Sequence, residues 1–357
     1  MKKNKYSIDF FKQRTLNQLS NKKEKFNTYS IDIEDLTEVN HCRLCGSNET
    51  TIIAEVYLKK KMKFFSTSTC NRCLFTYRSI SPSIRWFQKC WKLIANKKLE
   101  VFGGDIEITR ARRYTNYYNL VHSHVKGNLV LDIGAAYGTG SKIFQEKGFK
   151  VEAIEPEDNK INYLEKVLGI KCVAKTIEEL IDQKRDYNLL ILANCLEHLD
   201  NPINIMEKIK NIMHHEGILY LDLPIIWRFV SWSDAFYLTH KSYFTEENLF
   251  NFIENLGFKI LKKVDIEHSK DEPLDIGIVL KKDNSIKKNN TFINKNSVKD
   301  VQLQYRKGLP SNISMPINSI LRYSVPYIEH FFQTIKLDRH QILDSSQIKD
   351  DGFIEFI

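Results

Sequence analysis

Apolar and polar positions change their spacing at about residue 128, where short apolar runs begin to alternate with amphipathic stretches. Five runs have the length and composition of buried strands: NLVLDIG, KVEAIEP, KCVAK, DYNLLILANC and ILYLDLP. The stretches between them predict helices: SKIFQEKGF, EDNKINYLEKVLGI, TIEELIDQ and NPINIMEKIKNIMHHEG. Strands that alternate with helices predict right-handed βαβ units and a parallel sheet.

The pattern changes again after the fifth strand. TEENLFNFIENLGF predicts a helix that is capped by Thr245 and ended by Gly257. KILKKVDIE and LDIGIVLKK then predict two strands that are close enough to form a hairpin. The predicted fold class is therefore α/β, with a Rossmann-like sheet that is parallel and ends in a C-terminal antiparallel hairpin. We assign this domain to residues 126–282.

The other segments have weaker patterns. Residues 41–80 contain two cysteine pairs separated by short alternating segments, which predicts a small zinc-ribbon-like module. The remaining divisions are an N-terminal extension at 1–40, a helical connector or lid at 81–125, and a linker with a C-terminal helical region at 283–357. The histidines His122, His124, His214 and His215 are predicted to lie on helices and to face solvent.

Composition narrows the class of protein. The chain has 357 residues, of which 42% are hydrophobic and 27% charged, which excludes collagen-like and wholly disordered chains. It has no apolar run long enough to span a bilayer and no signal-peptide pattern at its start, so we expect a cytoplasmic protein. The net charge of +9 suggests a nucleic-acid or membrane partner.

The position of that charge argues against nucleic acid. Residues 127–223 hold eleven basic and sixteen acidic residues, whereas residues 1–28 hold eight basic and two acidic ones. The basic excess therefore belongs to the flanks, where no run of Lys and Arg is interleaved with aromatic residues at helical or strand spacing, as a nucleic-acid surface often shows. Contact of these flanks with an anionic membrane surface or with the diphosphate of a nucleotide sugar stays open.

Two Cys-x-x-Cys pairs, CRLC and CNRC, supply Cys42, Cys45, Cys70 and Cys73. Two such pairs at this separation suit a tetrahedral zinc ion held by four thiolates, which leaves no open position and indicates a structural site. A redox role for one pair is the alternative, although the pair lacks a βαβ context.

A glycine turn follows the first strand, in the order Asp132, Gly134, Ala136, Gly138. Glu155 ends the second strand, where a carboxylate can accept both hydroxyls of an adenosine ribose. Dinucleotide sites and S-adenosylmethionine (SAM) sites share this pairing. SAM is favoured because the turn lacks the G-x-G-x-x-G spacing of dinucleotide sites and because the sheet ends in a hairpin.

These motifs resemble those of the class I SAM-dependent methyltransferases, in the order VLDIGAAYG, VEAIEP, LLILANCLEHLDNP, GILYLDLP and FTEENLFNFIENLGF. The resemblance covers about residues 110–280. CRLCGS and the second cysteine pair resemble the N-terminal zinc module of bacterial methyltransferases of sugar and polysaccharide pathways. An enzyme that methylates a sugar or a nucleotide-linked sugar in surface-polysaccharide synthesis is the function that this resemblance implies.

The resemblance also implies roles for single residues around the cofactor. The turn residues would face the methionine part of SAM, and Glu155 would hold the ribose. Thr176 and Ile177 would flank the adenine, and Asn194 and Cys195 would approach the methionine amine or the sulfonium. The implied cofactor residues are Asp132, Gly134, Ala136, Gly138, Glu155, Thr176, Ile177, Asn194 and Cys195. Ala136 stands where the usual motif has its middle glycine, which should narrow the turn without abolishing it.

Two segments carry candidate catalytic residues. Glu197-His198 follows the fourth strand, and YLTHKSYF resembles the Y-H-E-H-L-S-Y-F segment of sugar C-methyltransferases, which matches Tyr237 and His240 to a Tyr and a His of that segment. The carboxylate of that segment is missing here, which favours O-methylation with His240 as the base and Tyr237 as its partner. A structural role for these side chains is the simpler alternative.

Other functions stay open at this point. C-methylation of a keto-sugar nucleotide by Tyr237 and His240 is the nearest alternative. From different classes, the basic flanks and the cysteine module fit a nucleic-acid-binding methyltransferase or a non-catalytic binding module.

Overall fold

The computed structural model describes residues 35–58, 62–83, 105–180, 185–228, 239–269, 272–283, 285, 296–306 and 354–355. These residues form two β-sheets, one of seven strands and one of six, with helices around the first. No helix in these ranges is long and apolar enough to cross a membrane.

The strands of the seven-stranded sheet are β5 (Leu129–Ile133), β6 (Lys150–Ile154), β7 (Lys171–Ala174), β8 (Tyr187–Ala193), β9 (Met213–Pro224), β11 (Phe258–Ser269) and β12 (Glu272–Lys282). Their order in the sheet is β11-β12-β9-β8-β5-β6-β7. The five strands from β5 to β9 pair in parallel, and β11 and β12 pair with each other and with β9 in antiparallel fashion. The predicted Rossmann-like sheet with an antiparallel hairpin is confirmed.

Both faces of this sheet are buried, as a parallel sheet requires. Side chains of a strand alternate between faces, so neighbouring residues belong to different halves of the core. Leu190 and Leu192 pack on one face, and Leu189 and Ile191 on the other. This explains why the strand sequences are continuously apolar.

Among the described residues, five α-helices surround or adjoin the sheet, and a sixth lies beside the other sheet: α1 (Asp105–Val121), α2 (Thr139–Glu146), α3 (Asp158–Lys166), α4 (Pro202–Ile212), α5 (Glu246–Asn255) and α6 (Val298–Arg306). Local capping sets two of their starts. The Asn201 side chain accepts from the Asn204 N–H at the start of α4, and Thr245 forms a capping box with Asn248 at the start of α5. The predicted cap at Thr245 is therefore present.

Two helix predictions are wrong. Helix α4 ends at Ile212 instead of Gly217, because Met213 pairs with Tyr187 and the chain continues as β9. His214 and His215 therefore lie on a strand. The third predicted helix, TIEELIDQ, is a short 3₁₀ turn at Ile177–Leu180 in the part that the structure describes. His122 and His124 lie on a 3₁₀ helix and are exposed, as predicted.

The cysteine pairs lie in turns that adjoin the six-stranded sheet. Its strands are β1 (Leu36–Glu38), β2 (Thr50–Leu58), β3 (Met62–Cys70), β4 (Thr76–Pro82), β10 (Ser242–Tyr243) and β13 (Ile354–Glu355). The main path is β1-β4-β3-β2-β13, and β10 pairs with β4. The sheet thus draws strands from a wider part of the chain than the predicted module of 41–80.

Residue Arg78 of β4 ties three parts of the chain together. It is buried and donates to the hydroxyls of Tyr243 at 2.6 Å and Tyr305 at 2.8 Å, and its guanidinium lies 4.2 Å from the ring centre of Phe65. Strand β10 and helix α6 are therefore fixed against the cysteine-containing sheet. This docking places the segment before β10 beside the carboxyl ends of the parallel strands.

Candidate active site

The turn between β5 and α2 has the backbone that a ligand-binding glycine turn needs. Three of its residues have positive φ angles: Gly134 at 79°, Ala136 at 51° and Gly138 at 73°. A Cβ on Gly138 would overlap the side chain of Leu164, so glycine is needed there for space as well as for conformation. Ala136 adopts the left-handed conformation without being glycine, and the turn forms with alanine in the middle position.

Glu155 links this turn to the end of the neighbouring strand. Its side chain is buried; Oε2 accepts from the Ala136 N–H at 2.8 Å, and Oε1 accepts from the Glu157 N–H at 3.0 Å. Burial raises the pKa of Glu155, and the positive charge of Lys160, 3.9 Å from Oε1, opposes that shift. The carboxylate is therefore held in one orientation at the carboxyl ends of β5 and β6.

Asp132 lies inside the fold rather than on the surface of the turn. It is completely buried, and its carboxylate accepts from Ser141 at 2.6 Å and from Tyr114 at 3.3 Å. Burial raises the pKa of Asp132 to about 6, against the effect of these two hydrogen bonds. Its contacts hold the first turn of α2 and helix α1 against β5.

The predicted adenine residues follow β7. Thr176 is exposed, and Ile177 is buried at the start of the 3₁₀ turn. An exposed polar group beside an apolar one at the edge of the sheet is compatible with a flat aromatic base.

Asn194 and Cys195 follow β8, next to the glycine turn. Asn194 has a φ of 47°, and the Cys195 Sγ lies 3.3 Å from the position that a Cβ on Gly134 would occupy. The turns after β5 and β8 therefore touch at the point where the strand order reverses, which is where open α/β sheets bind ligands. Burial raises the pKa of the Cys195 thiol, which keeps it protonated.

A buried polar network that sequence analysis missed holds Asn194 in place. The Asn194 Nδ2 donates to Asp222 at 2.9 Å and to Asp275 at 2.7 Å, and the Arg113 Nη2 donates to Asn194 Oδ1 at 2.6 Å. Arg113 also pairs with both carboxylates at 3.2 Å, and the Tyr117 hydroxyl donates to Asp222. The available signal was an aspartate within each of two otherwise apolar strands, ILYLDLP and LDIGIVL.

The candidate catalytic histidines come together beside the turn after β8. The rings of His198 and His240 lie 4.8 Å apart, edge to face, and the Nε2 atom of each lies 3.9 Å from Oε1 of Glu197. We call these three residues the Glu–His cluster. Sequence analysis named both histidines, and it gave Glu197 no role of its own.

Burial dominates the electrostatics of the Glu–His cluster. It lowers the pKa of His198 to about 4 and that of His240 well below its usual value, and it raises the pKa of Glu197 well above its usual value. Both imidazoles are therefore neutral near pH 7. A neutral imidazole has one nitrogen with a free lone pair, which can accept a proton from a hydroxyl group or bind a metal ion.

The segment before β10 is docked onto this turn by its backbone and by one lysine. The Lys241 N–H donates to the Glu197 carbonyl at 2.7 Å, and the Lys241 Nζ pairs with Asp200 at 2.5 Å. The Thr239 carbonyl lies 3.1 Å from His198 Nδ1. Tyr237, the predicted partner of His240, lies outside the described residues.

The four paired cysteines lie together in the other sheet. Cys42 Sγ is 3.6 Å from Cys73 Sγ, Cys45 Sγ is 3.5 Å from Cys70 Sγ, and all four sulfurs lie within 4.8 Å of one another. The two pairs sit in equivalent turns, each with a left-handed residue after its second cysteine: Gly46 at 72° and Leu74 at 57°. A tetrahedral ion with Zn–S bonds of about 2.3 Å holds its sulfurs roughly 3.8 Å apart, so these distances fit zinc.

Comparison with known proteins gives the domain its class. Residues 108–263 match the family model described as a methyltransferase domain. Among curated proteins, no sequence is significantly similar to this chain. The matched range contains the glycine turn, Glu155 and the Glu–His cluster, so these features belong to a methyltransferase domain.

Parts of the chain are similar to several solved structures. A 1,6-didemethyltoxoflavin-N1-methyltransferase of Burkholderia thailandensis, solved with S-adenosylhomocysteine, is 14% identical, with a TM-score of 0.45 over 64% of this chain and 99% of that one. A SAM-dependent methyltransferase of Methanosarcina mazei is 16% identical, with a TM-score of 0.41 over 46% of this chain and 97% of that one. A SAM-dependent methyltransferase of Archaeoglobus fulgidus is 20% identical, with a TM-score of 0.39 over 50% of this chain and 95% of that one.

Proposed function

We propose that this protein, a SAM-dependent methyltransferase with a class I domain at residues 108–263, methylates a hydroxyl group of a sugar or nucleotide-linked sugar in surface-polysaccharide synthesis. The observation that carries the proposal is the meeting of two sites at one sheet edge: the glycine turn with Glu155 on one side and the Glu–His cluster on the other. The sugar part of the proposal also rests on the resemblance of the cysteine pairs and of the YLTHKSYF segment to sugar-pathway enzymes.

The proposed SAM site uses the turns that follow four parallel strands. Gly134, Ala136 and Gly138 leave room for the methionine part, and the fixed carboxylate of Glu155 accepts the ribose hydroxyls. Thr176 and Ile177 flank the adenine, and Asn194 and Cys195 approach the amine or sulfonium. Asp132 contributes by holding helix α2 and the turn in place.

The proposed chemistry is an in-line displacement. The acceptor oxygen forms a bond to the methyl carbon while the bond from carbon to the sulfonium breaks, and S-adenosylhomocysteine leaves. Positioning the two reactants supplies much of the acceleration. The acceptor hydroxyl must lose its proton, and His240, neutral and next to the carboxyl group of Glu197, is the proposed base, with His198 beside it.

The test is methyl transfer from labelled SAM to a set of nucleotide sugars and free glycans by the purified full-length protein. An O-methylated sugar product supports the proposal. A C-methylated product would assign the alternative chemistry to Tyr237 and His240, and transfer to RNA or DNA alone would overturn the sugar assignment. If the protein does not bind SAM in calorimetry, the proposed cofactor site is wrong.

The cysteine cluster is proposed as a structural zinc site. Four thiolates complete a tetrahedral shell and leave no position for a substrate, so the ion's role would be to hold the two turns of the six-stranded sheet together. Replacement of one ligand, Cys42→Ser, should remove the zinc and the cooperative unfolding of this sheet. Cys172→Ser is the matched control, because Cys172 is half-buried and lies outside the cluster. Full zinc content and unchanged unfolding in Cys42→Ser would refute this proposal.

A further inference from the structure

The Glu–His cluster gathers three potential ligand atoms from two segments that are far apart in the sequence. Glu197 and His198 lie in the 3₁₀ turn at Leu196–His198, and His240 lies just before β10. One ligand atom from each of the three residues lies within 4.8 Å of the other two. The Nε2 atom of each histidine lies 3.9 Å from Oε1 of Glu197. One carboxylate and two imidazoles form a donor set that divalent first-row transition metals favour.

The orientation of His198 fits this use. Its Nδ1 lies 3.1 Å from the Thr239 carbonyl oxygen, which can only accept a hydrogen bond. Nδ1 therefore carries the proton of the neutral ring, and the lone pair is on Nε2, the atom nearest to Glu197. Histidines that bind metals are fixed in this way, with the second nitrogen donating to a carbonyl or carboxylate.

The burial of Glu197 supplies an independent argument. Its side chain is 1% exposed, and its Oε2 has no hydrogen-bond partner among the described residues. The nearby cations are engaged elsewhere, since Lys241 pairs with Asp200, and Arg113 pairs with Asp222 and Asp275. A buried carboxylate with an unsatisfied oxygen is costly, and a bound cation is one way to offset that cost.

We propose that Glu197, His198 and His240 bind a divalent transition-metal ion, with at least one coordination position left open. Ligand bonds of about 2.1 Å place neighbouring ligand atoms roughly 3.4 Å apart in a tetrahedral site and at most about 4.2 Å apart in any site. The two distances of 3.9 Å are already within that limit. Small side-chain rotations complete the shell.

The consequence for catalysis rests on the proposed function. A bound ion takes the Nε2 lone pairs of both histidines, so His240 is then a ligand and not a base. The acceptor hydroxyl can bind at the open position, where the ion lowers its pKa and its proton passes to water before the oxygen attacks the methyl group. The metal-free protein keeps His240 as the base.

The test is titration of the full-length protein with Co²⁺, followed by visible absorption. Thiolate-bound Co²⁺ shows strong sulfur-to-metal charge transfer, whereas Co²⁺ on imidazole and carboxylate ligands shows only weaker d–d bands, so the two clusters are distinguished. We expect one Co²⁺ ion per chain with imidazole and carboxylate ligands. Glu197→Gln and His240→Ala should each weaken its binding at least about tenfold, because each removes a ligand.

Controls make the outcome unambiguous. His215→Ala removes an exposed histidine of β9 outside the cluster and should leave the second ion in place. Absence of nitrogen- and oxygen-bound Co²⁺ in the wild type, or unchanged binding in both cluster variants, would overturn the proposal. SAM affinity measured on the same samples separates this outcome from a failure of the proposed function, since the metal ligands are not part of the proposed SAM site.

Discussion

The proposed cofactor side of the sheet edge, with the glycine turn and Glu155, and the proposed acceptor side, with the Glu–His cluster, each contain a buried glutamate. The two glutamates are stabilised differently. Both oxygens of Glu155 accept hydrogen bonds from backbone N–H groups, whereas Oε2 of Glu197 has no partner among the described residues. A carboxylate fixed by backbone is ready to bind the same ligand in the same way. A buried carboxylate with one oxygen that lacks a donor, between two neutral imidazoles, is available to a proton or a cation.

The two regions also differ in how far apart in the sequence their contacting residues lie. Glu155 and its partners Ala136 and Glu157 lie in two consecutive strand–turn units of the sheet. The Glu–His cluster depends on the docking of β10 against β4, which brings His240 to the turn after β8. The cofactor side is therefore built by local structure, and the acceptor side by the contact between the two sheets.

The largest expected effect is on the cofactor side. Glu155→Ala should lower the affinity for SAM at least about 100-fold, because two hydrogen bonds from ribose hydroxyls to a carboxylate are worth about 1.5–3 kcal/mol each. Calorimetry with SAM measures this. Glu157→Ala is the matched control, since it keeps the backbone N–H that binds Glu155. An equal loss of SAM affinity in Glu197→Gln would show that the two sides are not separate.

The next effect concerns the acceptor side. His240→Ala should lower turnover by about 100-fold or more, the usual contribution of a positioned base, while SAM affinity changes less than about twofold. His215→Ala serves as the control for a histidine outside the site. Full turnover in His240→Ala on the true acceptor, or a collapse of SAM binding, would contradict the assignment.

A third prediction tests burial on the cofactor side through pH. The pKa of Asp132 is about 6 in the folded protein and 3.8 without the fold, so the folded state holds this proton more tightly. The stabilisation is complete below pH 3.8 and is lost as the pH rises to about 6, by up to about 3 kcal/mol.

Asp132→Asn should remove this dependence, since an amide does not titrate. Urea unfolding of the wild type and the variant across this pH window measures the difference between them. Asp158→Asn, at an exposed position of α3, is the control. A constant difference in stability between the wild type and Asp132→Asn would show that the hydrogen bonds from Ser141 and Tyr114 fully offset the burial of Asp132.

The two regions also differ in how far they could be predicted from sequence. The hydrophobic pattern predicted the five parallel strands and the hairpin, because the central strands β5, β6, β8 and β9 carry continuous runs of buried residues. Spacing predicted the glycine turn, the position of Glu155 and the proximity of the four cysteines. These features depend on short stretches of chain and on the rule that parallel strands end at one edge.

What sequence analysis missed depends on contacts between distant segments. The network of Arg113 with Asp222 and Asp275 joins α1, β9 and β12, and no single stretch of sequence contains its pattern. Helix α4 was predicted five residues too long because its end is set by the pairing of Met213 with Tyr187. Sequence analysis considered Glu197 only as the neighbour of His198, because its contact with His240 forms only when β10 pairs with β4.

The smallest expected effect is at Ala136, the turn position where the usual motif has its middle glycine. The left-handed conformation of Ala136 costs roughly 1–2 kcal/mol, and glycine would remove that cost while adding flexibility to the unfolded chain, so Ala136→Gly should stabilise the fold by about 0.5 kcal/mol. Ala135→Gly, one residue earlier and without a positive φ, should destabilise it instead. Urea unfolding of both variants gives the comparison. If both variants are destabilised alike, the turn is not strained at Ala136, and the rigidity of the cofactor side owes more to the backbone hydrogen bonds of Glu155 than to the residue in the turn.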